Sequence, residues 1–293
     1  MEEAKIFMNG KLVPEREAKI SVFDHGYLYG DGVFEGIRAY NGKVFKLKEH
    51  IRRLFQSAHS IMLTIPYSEK ELEKAVVDTI KANDLKEAYI RIVVSRGIGD
   101  LGLDPFKCVE PSVIIIASSI SLFPEKLYEE GLKVVTVPTR RNVPDALDPQ
   151  IKSLNYLNNV LVKIEANQAG VLEAIMLNSQ GFVTEGSGDN VFICRENKLL
   201  TPPPHMGILR GITRDVVMEI ARSEGLEVEE TPFTRHELYV AEECFLTGTA
   251  AEVIPVIEVD GRKVGNGTPG AITGKLIKKF REYARNNGTE VYV

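Results

Sequence analysis

The chain has 293 residues, 44% apolar and 26% charged, a globular composition with length enough for about two domains. Its 36 basic against 41 acidic residues give a net charge of −5, and no lysine- or arginine-rich block interrupts it, so no nucleic-acid partner is expected. The longest apolar runs, such as Val113 to Ala117, fall far short of the roughly 18 residues a membrane helix needs, so no membrane partner is expected either.

The acidic start, Met-Glu-Glu-Ala-Lys-Ile, has no apolar core region, so a secretory signal is not expected. Cys108, Cys194 and Cys244 are odd in number and widely spaced. They support neither a disulfide framework nor a metal site, and a reducing cytoplasm is the expected location.

Two short strands at 4–8 and 11–13 flank Asn9-Gly10, a hairpin signal. A strand from Val33 to Tyr40 turns at Asn41-Gly42 into Val44-Phe45. Ile51, Leu54, Phe55, Ala58 and Met62 form the apolar stripe of a helix, and Ser68-x-x-Glu71 is a capping box that opens a second helix running to about 82. Tyr89–Val94 and Val113–Ala117 are β-branched strands. Residues 1–118 thus form a small α+β domain, followed by a connection at 119–131 and a larger domain at 132–293.

In the second part a strand at 133–137 precedes Lys152. Beyond it Leu154, Leu157, Leu161 and Ile164 recur at helical spacing, to Gly170. Strands follow near 173–178, 190–194 and 199–200. A helix after Gly211 carries Val216, Val217, Ile220 and Ala221. Thr234-x-x-Glu237 caps another, a strand at 243–247 runs into Gly248-Thr249, and a last helix spans 271–286.

Four stretches carry chemistry. Lys152 stands at a junction where packing can desolvate its amine and leave it nucleophilic; the plain alternative is a solvated surface lysine. Gly211-Ile212-Thr213 opens a helix whose free N–H groups, dipole and hydroxyl suit an anion, and Thr247-Gly248-Thr249 repeats the glycine and the hydroxyl. Each is also an ordinary cap or turn. Glu185, followed by small residues, can point a carboxylate from a strand end toward a heteroaromatic nitrogen, or lie in a polar turn.

Taken together, seven stretches resemble the class IV (fold type IV) pyridoxal-phosphate aminotransferases, above all the branched-chain amino acid aminotransferases. They are Tyr29-Gly-Asp-Gly-Val-Phe-Glu-Gly-Ile-Arg38, Glu49-His-Ile-Arg-Arg-Leu54, Ala88-Tyr-Ile-Arg91, Lys152-Ser-Leu-Asn-Tyr156, Thr184-Glu-Gly-Ser-Gly-Asp-Asn190, Leu209-Arg-Gly-Ile-Thr-Arg-Asp215 and Phe245-Leu-Thr-Gly-Thr-Ala-Ala-Glu252, in family order over nearly the whole chain.

The resemblance implies an α+β, two-domain fold: a small sandwich-like N-terminal domain, a larger domain with a barrel-like sheet, and pyridoxal 5'-phosphate in the cleft between them. Lys152 would join the cofactor aldehyde and move the proton between substrate Cα and cofactor C4′. Tyr156 would meet the phenolic oxygen and Glu185 the ring nitrogen. Leu209 would pack on the ring, and Arg53, Gly211, Ile212, Thr213, Gly248 and Thr249 would hold the phosphate.

By periodicity Arg53 lies opposite the apolar stripe of its helix, so it faces either solvent or a cleft. Tyr29, Phe34, Gly36, Tyr89 and Arg91 would line the substrate pocket, with the Thr249 and Ala250 amides on the α-carboxylate. A loop carrying Leu101 and Leu103 would close the neighbouring site of a homodimer or an assembly of dimers.

Ser95-Arg96-Gly97 resembles instead the D-amino acid aminotransferase branch, so Arg96 competes with Arg91 as the carboxylate ligand. The aromatic lid residue of the 119–131 connection stays open between Phe123 and Tyr128. The expected activity is ping-pong transfer of the amino group of L-leucine, L-isoleucine or L-valine to 2-oxoglutarate. The alternatives are a D-amino acid aminotransferase, an aminodeoxychorismate lyase, and, from another class, a non-catalytic or hydrolytic phosphate-ligand-binding protein.

Overall fold

A computed structural model describes residues 3–119 and 122–292. Met1 and Glu2 of the acidic start, and Ile120 and Ser121 of the 119–131 connection, lie outside them. The chain divides into two compact units, and the division is not a single cut. The first unit holds the chain as far as the first connection, then takes back Ile151–Tyr156 and the residues from Ala284 onward. The second holds the chain up to Gln150 and then Leu157–Tyr283.

In the first unit the elements are β1 (Lys5–Met8), β2 (Lys11–Pro14), α1 (His25–Tyr29), β3 (Gly32–Tyr40), β4 (Lys43–Val44), α2 (Leu47–Ser60), α3 (Glu69–Ala82), β5 (Ala88–Ser95) and β6 (Ser112–Ser118). A last strand at Thr289–Glu290 pairs with β4 and begins an antiparallel sheet that continues through β3, β5, β6, β1 and β2. Strand β5 alternates between buried and half-buried positions over most of its length, whereas β3 is buried on both faces. Val33, Ile37, Ile90, Ile92, Val94, Val113 and Ile115 turn to one side and form a core with Leu47, Ile51, Leu54 and Ala58 of α2 and Leu72, Val76 and Ile80 of α3. The Ser68–Glu71 capping box is present at the start of α3.

Residues 151–156 join this unit through the backbone. Phe34 N–H donates to Lys152 O at 2.9 Å, Leu154 N–H to Gly32 O at 2.9 Å, and Val33 bridges Ser153. Lys152 therefore lies along the open start of β3.

The second unit contains α4 (Lys126–Glu130), β7 (Leu132–Thr136), α5 (Pro144–Leu147), α6 (Leu157–Gln168), β8 (Glu173–Leu177), β9 (Val183–Gly186), β10 (Asn190–Arg195), β11 (Lys198–Thr201), α7 (Ile212–Ser223), β12 (Glu227–Glu230), α8 (Arg235–Tyr239), β13 (Glu243–Gly248), β14 (Glu252–Val259), β15 (Arg262–Lys263) and α9 (Ala271–Asn286) as far as Tyr283. The Thr289–Glu290 strand named above is β16 in chain order. Strands β10, β13, β14, β7, β8 and β9 follow one another around a ring, and the pairing of Glu185 with Asn190 closes it into a six-stranded barrel. β11 and β12 extend from β10, and β15 from β14. Ile175, Val183, Val191, Ile193, Leu246, Ile254 and Val256 belong to its core.

One sequence expectation is revised. The helix after Lys152 starts at Leu157, so Leu154 is not on it, and its apolar stripe is not core: Leu157 is 68% exposed, with Leu161 and Ile164 also exposed. The buried face is Asn159, Val162 and Ala166. In the 119–131 connection, Phe123 is buried in the barrel unit's core with Tyr128 packed against it, and Tyr128 carries Arg281 stacked over its ring at 4.8 Å.

Candidate active site

In the first unit the side chains around Lys152 come from β3, β5 and α2. Lys152 Nζ lies 3.3 Å from Tyr156 Oη and 4.5 Å above the Phe34 ring. Phe34 and Tyr156 meet edge to face at 4.9 Å. The pleat places Phe34 and Gly36 of β3 beside Tyr89 and Arg91 of β5, with Gly36 opposite Arg91 in register. Arg91 Nη2 donates to Tyr89 Oη at 3.0 Å, and the guanidinium stacks over Phe34 at 4.6 Å. Arg91 Nε is buried without a hydrogen-bond partner among the described residues. A Cβ at residue 36 would stand 2.2 Å from Tyr89 Oη, so glycine leaves that hydroxyl its place.

On the opposite face of β3, between Val33 and Ile37, stands a fully buried carboxylate, Glu35. Arg53 grips it twice, Nε to Oε1 at 2.7 Å and Nη2 to Oε2 at 2.9 Å, and His50 Nδ1 approaches Oε2 at 2.8 Å. Burial alone would raise the Glu35 pKa, but the charges and hydrogen bonds of Arg53 and His50 outweigh it and hold the carboxyl far below the usual range. His50 is lowered from its ordinary 6.5, first by burial and further by Arg53 and Lys152, against the pull of Glu35. His50 is thus a neutral imidazole donating its Nδ1–H. Ser57, one turn beyond Arg53, accepts the Lys152 N–H at 3.1 Å. Helix α2 therefore carries two inward stripes, an apolar one at 47, 51, 54 and 58 and a polar one at 50, 53 and 57.

Arg96 is occupied otherwise. Its Nε and Nη2 pair with Asp31 at 2.9 Å each, and Nη1 and Nη2 donate to the Met62 and Ile61 carbonyls at 2.7 Å. Four of the roughly five donors of a guanidinium are spent inside the unit. Leu101 and Leu103 stand on a loop 67% and 79% exposed.

In the second unit a polar cluster gathers at the barrel closure. Glu185, buried at the end of β9, accepts from Arg141 Nε at 2.8 Å, Leu209 N–H at 2.9 Å and Asn190 Nδ2 at 3.2 Å. Asn190 also donates to Leu209 O at 2.9 Å, and Arg141 reaches Asn158 Oδ1 at 3.0 Å. The carboxylate is fixed in plane and direction by three elements.

Just beyond Leu209, α7 begins at Ile212 with Gly211 as its cap, and no side chain caps it. Arg214, fully buried, secures this helix start by donating to Pro202 O at 2.9 Å and Glu230 at 2.6 Å. A Cβ at Gly211 would stand 2.0 Å from Asn190 Oδ1, and one at Gly248 would stand 1.9 Å from Asp189 Oδ1. The Thr247 hydroxyl is buried with no partner among the described residues. Thr213 is buried, and Thr249 and Ala250 lie half-buried in the turn after β13.

The expected site residues thus fall into two groups. Tyr29, Phe34, Gly36, Arg53, Tyr89, Arg91, Lys152 and Tyr156 belong to the first unit, and Glu185, Leu209, Gly211, Ile212, Thr213, Gly248, Thr249 and Ala250 to the second. Sequence reasoning missed Glu35, His50, Ser57, Arg141 and Asn190. Glu35 did carry a signal, an acid at a core-facing position of an alternating strand; Arg141 carried none.

The model of the family described as amino-transferase class IV matches residues 32–259. A relative from Methanocaldococcus jannaschii, provisionally named a branched-chain-amino-acid aminotransferase, is 55% identical over 98% of this chain and 99% of its own length. A D-alanine aminotransferase from Bacillus licheniformis is 38% identical over 92% of this chain and 93% of its own. The solved branched-chain amino acid aminotransferase from Thermobaculum terrenum, in its PLP-bound holo form, superposes with a TM-score of 0.90 at 33% identity, covering 99% of this chain and 99% of that one. With the family match running from β3 through β14, the chain belongs to the class IV aminotransferases.

Proposed function

We propose that the protein is a pyridoxal-phosphate-dependent transaminase that moves the amino group of L-leucine, L-isoleucine or L-valine to 2-oxoglutarate. The observation that carries this reading is the pair formed by Lys152 Nζ and Tyr156 Oη at 3.3 Å against the Phe34 ring, on a chain of this family. The residues fit the cofactor group by group: an amine for its aldehyde, a phenol for its phenolic oxygen and a thrice-held carboxylate for its ring nitrogen. For its phosphate there are a helix start without a side-chain cap and two glycines whose Cβ atoms would collide with buried side chains.

When bound, pyridoxal phosphate supplies the aldehyde and the electron sink. In this reading Lys152 Nζ is the nucleophile that holds the cofactor and then takes and returns the substrate Cα proton. Tyr156 orients that amine and meets the phenolic oxygen. Glu185, held by Arg141, Asn190 and the Leu209 N–H, keeps the ring nitrogen protonated. Leu209 would pack on the ring. Arg53, the Gly211–Thr213 helix start, Gly248 and Thr249 would take the phosphate charge, with Glu35 setting the angle of the Arg53 guanidinium.

Phe34, Gly36, Tyr29 and Tyr89 form the wall for the aliphatic side chain, and the Thr249 and Ala250 amides receive the α-carboxylate. Arg91, whose Nε has no partner among the described residues, is the cation for the second carboxylate of glutamate and 2-oxoglutarate. Arg96, spent on Asp31 and two carbonyls, is assigned a folding role, which supports the L-amino acid reading over the D-amino acid one.

The working form is a homodimer or an assembly of dimers, with Leu101 and Leu103 closing the neighbouring site. The exposed Leu157, Val160, Leu161 and Ile164 of α6 and the exposed Phe106 and Val109 support an assembly. Three free cysteines fit a cytoplasmic setting, and no helix among the described residues is long and apolar enough to cross a membrane. Initial rates over a panel of L- and D-donors with 2-oxoglutarate test the reading. L-Leucine, L-isoleucine and L-valine react and D-alanine does not; activity on D-alanine alone contradicts it.

A further inference from the structure

Helix α1 does more than end in Tyr29. Its first residue, His25, is 1% exposed, and its Nε2 lies 2.8 Å from the Asp100 carbonyl. A carbonyl only accepts, so Nε2 carries the proton and donates it. One turn later Tyr29 Oη donates to the next carbonyl, Leu101 O, at 2.5 Å. The two rings support each other edge to face at 5.1 Å and 85°. Two consecutive peptide carbonyls of one loop are therefore held by two side chains of one short helix that meet edge to face.

The helix is itself anchored to the loop's base. Asp24 caps it at the Gly26 N–H (2.8 Å) and accepts Ser95 Oγ at 2.8 Å, His25 N–H donates to Gly97 O at 2.9 Å, and Gly99 N–H donates to Phe23 O at 3.2 Å. A Cβ at residue 99 would stand 2.6 Å from His25 Nε2 and 2.8 Å from Cys108 Sγ, so the imidazole reaches the loop only because Gly99 lacks one. On its outer side the loop is closed by Asp100, which accepts Gly102 N–H at 2.7 Å and pairs with Lys107 at 2.9 Å. Leu101 and Leu103 gain nothing from this order within the chain. They stay 67% and 79% exposed, and ordering a loop to keep two leucines in water has a cost that folding does not return.

We propose that His25 is a positioning residue for substrate selection: with Tyr29 it holds the Asp100 and Leu101 carbonyls, so that Leu101 and Leu103 are presented in one geometry to the aliphatic side chain bound in the partner subunit's site. The inference rests on the reading, given above, that this loop closes the neighbouring site. His25 touches neither substrate nor cofactor. It acts through the loop, and it acts in trans.

The test uses the full chain with pyridoxal phosphate. His25→Phe keeps the edge-to-face ring contact and removes the donor; His25→Gln keeps a side-chain N–H donor for the carbonyl. His25→Phe raises KM for L-leucine about tenfold, equivalent to ~1.4 kcal/mol, leaves kcat and KM for L-alanine within about twofold, and His25→Gln restores most of the loss. The deciding arm is a mixed dimer, isolated with two tags, in which one chain carries His25→Phe and the other Lys152→Ala.

Its single competent site lies on the His25→Phe chain and is served by the loop of the Lys152→Ala chain, whose His25 is intact. Wild-type KM for L-leucine in that dimer is the expected result. A KM that stays high overturns the proposal, because His25 would then act within its own site. Equal losses with leucine and alanine, without rescue by Gln, reduce His25 to a folding role and also overturn it. Sedimentation of the wild-type holoenzyme separates the two levels: a monomer contradicts the assembly itself, whereas a dimer with an uncured defect contradicts only the role of His25.

Discussion

Glu35→Gln is the most informative single change in the first unit. The carboxylate is fully buried and neutralises Arg53 through two contacts of 2.7 and 2.9 Å while accepting His50 at 2.8 Å. At an effective dielectric of about 20, one unit pair at this separation attracts by roughly 6 kcal/mol, most of it offset by the desolvation of both groups. The pair's net worth is therefore modest, but removing one member leaves the other charge largely buried, which costs about 3–5 kcal/mol.

Glutamine has nearly the same shape, so the loss reports charge rather than volume. For a unit of this size, roughly 3–4 °C is lost per kcal/mol, giving a drop in Tm of about 9–20 °C in the apoenzyme. The guanidinium also loses its fixed angle, and the dissociation constant for pyridoxal phosphate, read by absorbance titration, rises about tenfold or more. A Tm within about 2 °C of wild type together with unchanged cofactor affinity would refute both the buried-pair argument and the proposed task of Arg53.

Three further outcomes follow from particular atoms. Gly211→Ala places a Cβ 2.0 Å from Asn190 Oδ1 and lowers cofactor affinity about tenfold or more, whereas Gly188→Ala, with nothing within 4 Å, is neutral by the same titration; equal effects would contradict the close-approach argument. Arg91→Met raises KM for 2-oxoglutarate about tenfold or more and leaves KM for L-leucine within a few-fold, since only the former brings a second carboxylate; steady-state kinetics with parallel losses would count against it.

The third concerns pH. The folded pKa of His50 is depressed, so the unfolded chain takes the proton first as pH falls through about 6.5. Its contribution to stability is present above that value and lost below it, with a slope of at most ~1.36 kcal/mol per pH unit. The Glu35 contribution, whose folded pKa is also depressed, persists to far more acid pH and does not act in this window. Denaturant titrations from pH 7 to 5 show a shallower decline for His50→Gln than for wild type; identical slopes contradict the assignment.

Most of the elements were legible because they carry period-two or period-3.6 apolar patterns and explicit punctuation, as the Ser68–Glu71 box and the glycines at 10, 42 and 170 illustrate. Two kinds of information were not. The barrel closes through Glu185 and Asn190, a pairing between residues five apart that looks locally like a polar turn. The polar stripe of α2 at 50, 53 and 57 reads in sequence as solvent-facing, because the partner of His50 and Arg53, Glu35, is an acid at a core position against the usual rule, and the partner of Ser57 is the distant Lys152 N–H.

The α6 stripe failed in the opposite sense. Leu157, Leu161 and Ile164 have the spacing of a core face, yet the side that packs against β8 is built on Val162 and Ala166. Spacing identifies an apolar face, but not what covers it. Arg91, within β5, and Arg96, just past its end, were alike as candidate cations, and only the hydrogen-bond inventory separates the occupied one from the one with an unmet donor.

Everything converges on Lys152, whose amine sits on Phe34 within 3.3 Å of Tyr156. The direct test is to incubate the protein with pyridoxal phosphate, reduce with borohydride, digest and map the added mass. The label is predicted on the peptide containing Lys152, with a yellow protein before reduction and loss of label when L-leucine is added first. Label on other lysines only, or none, would contradict the account.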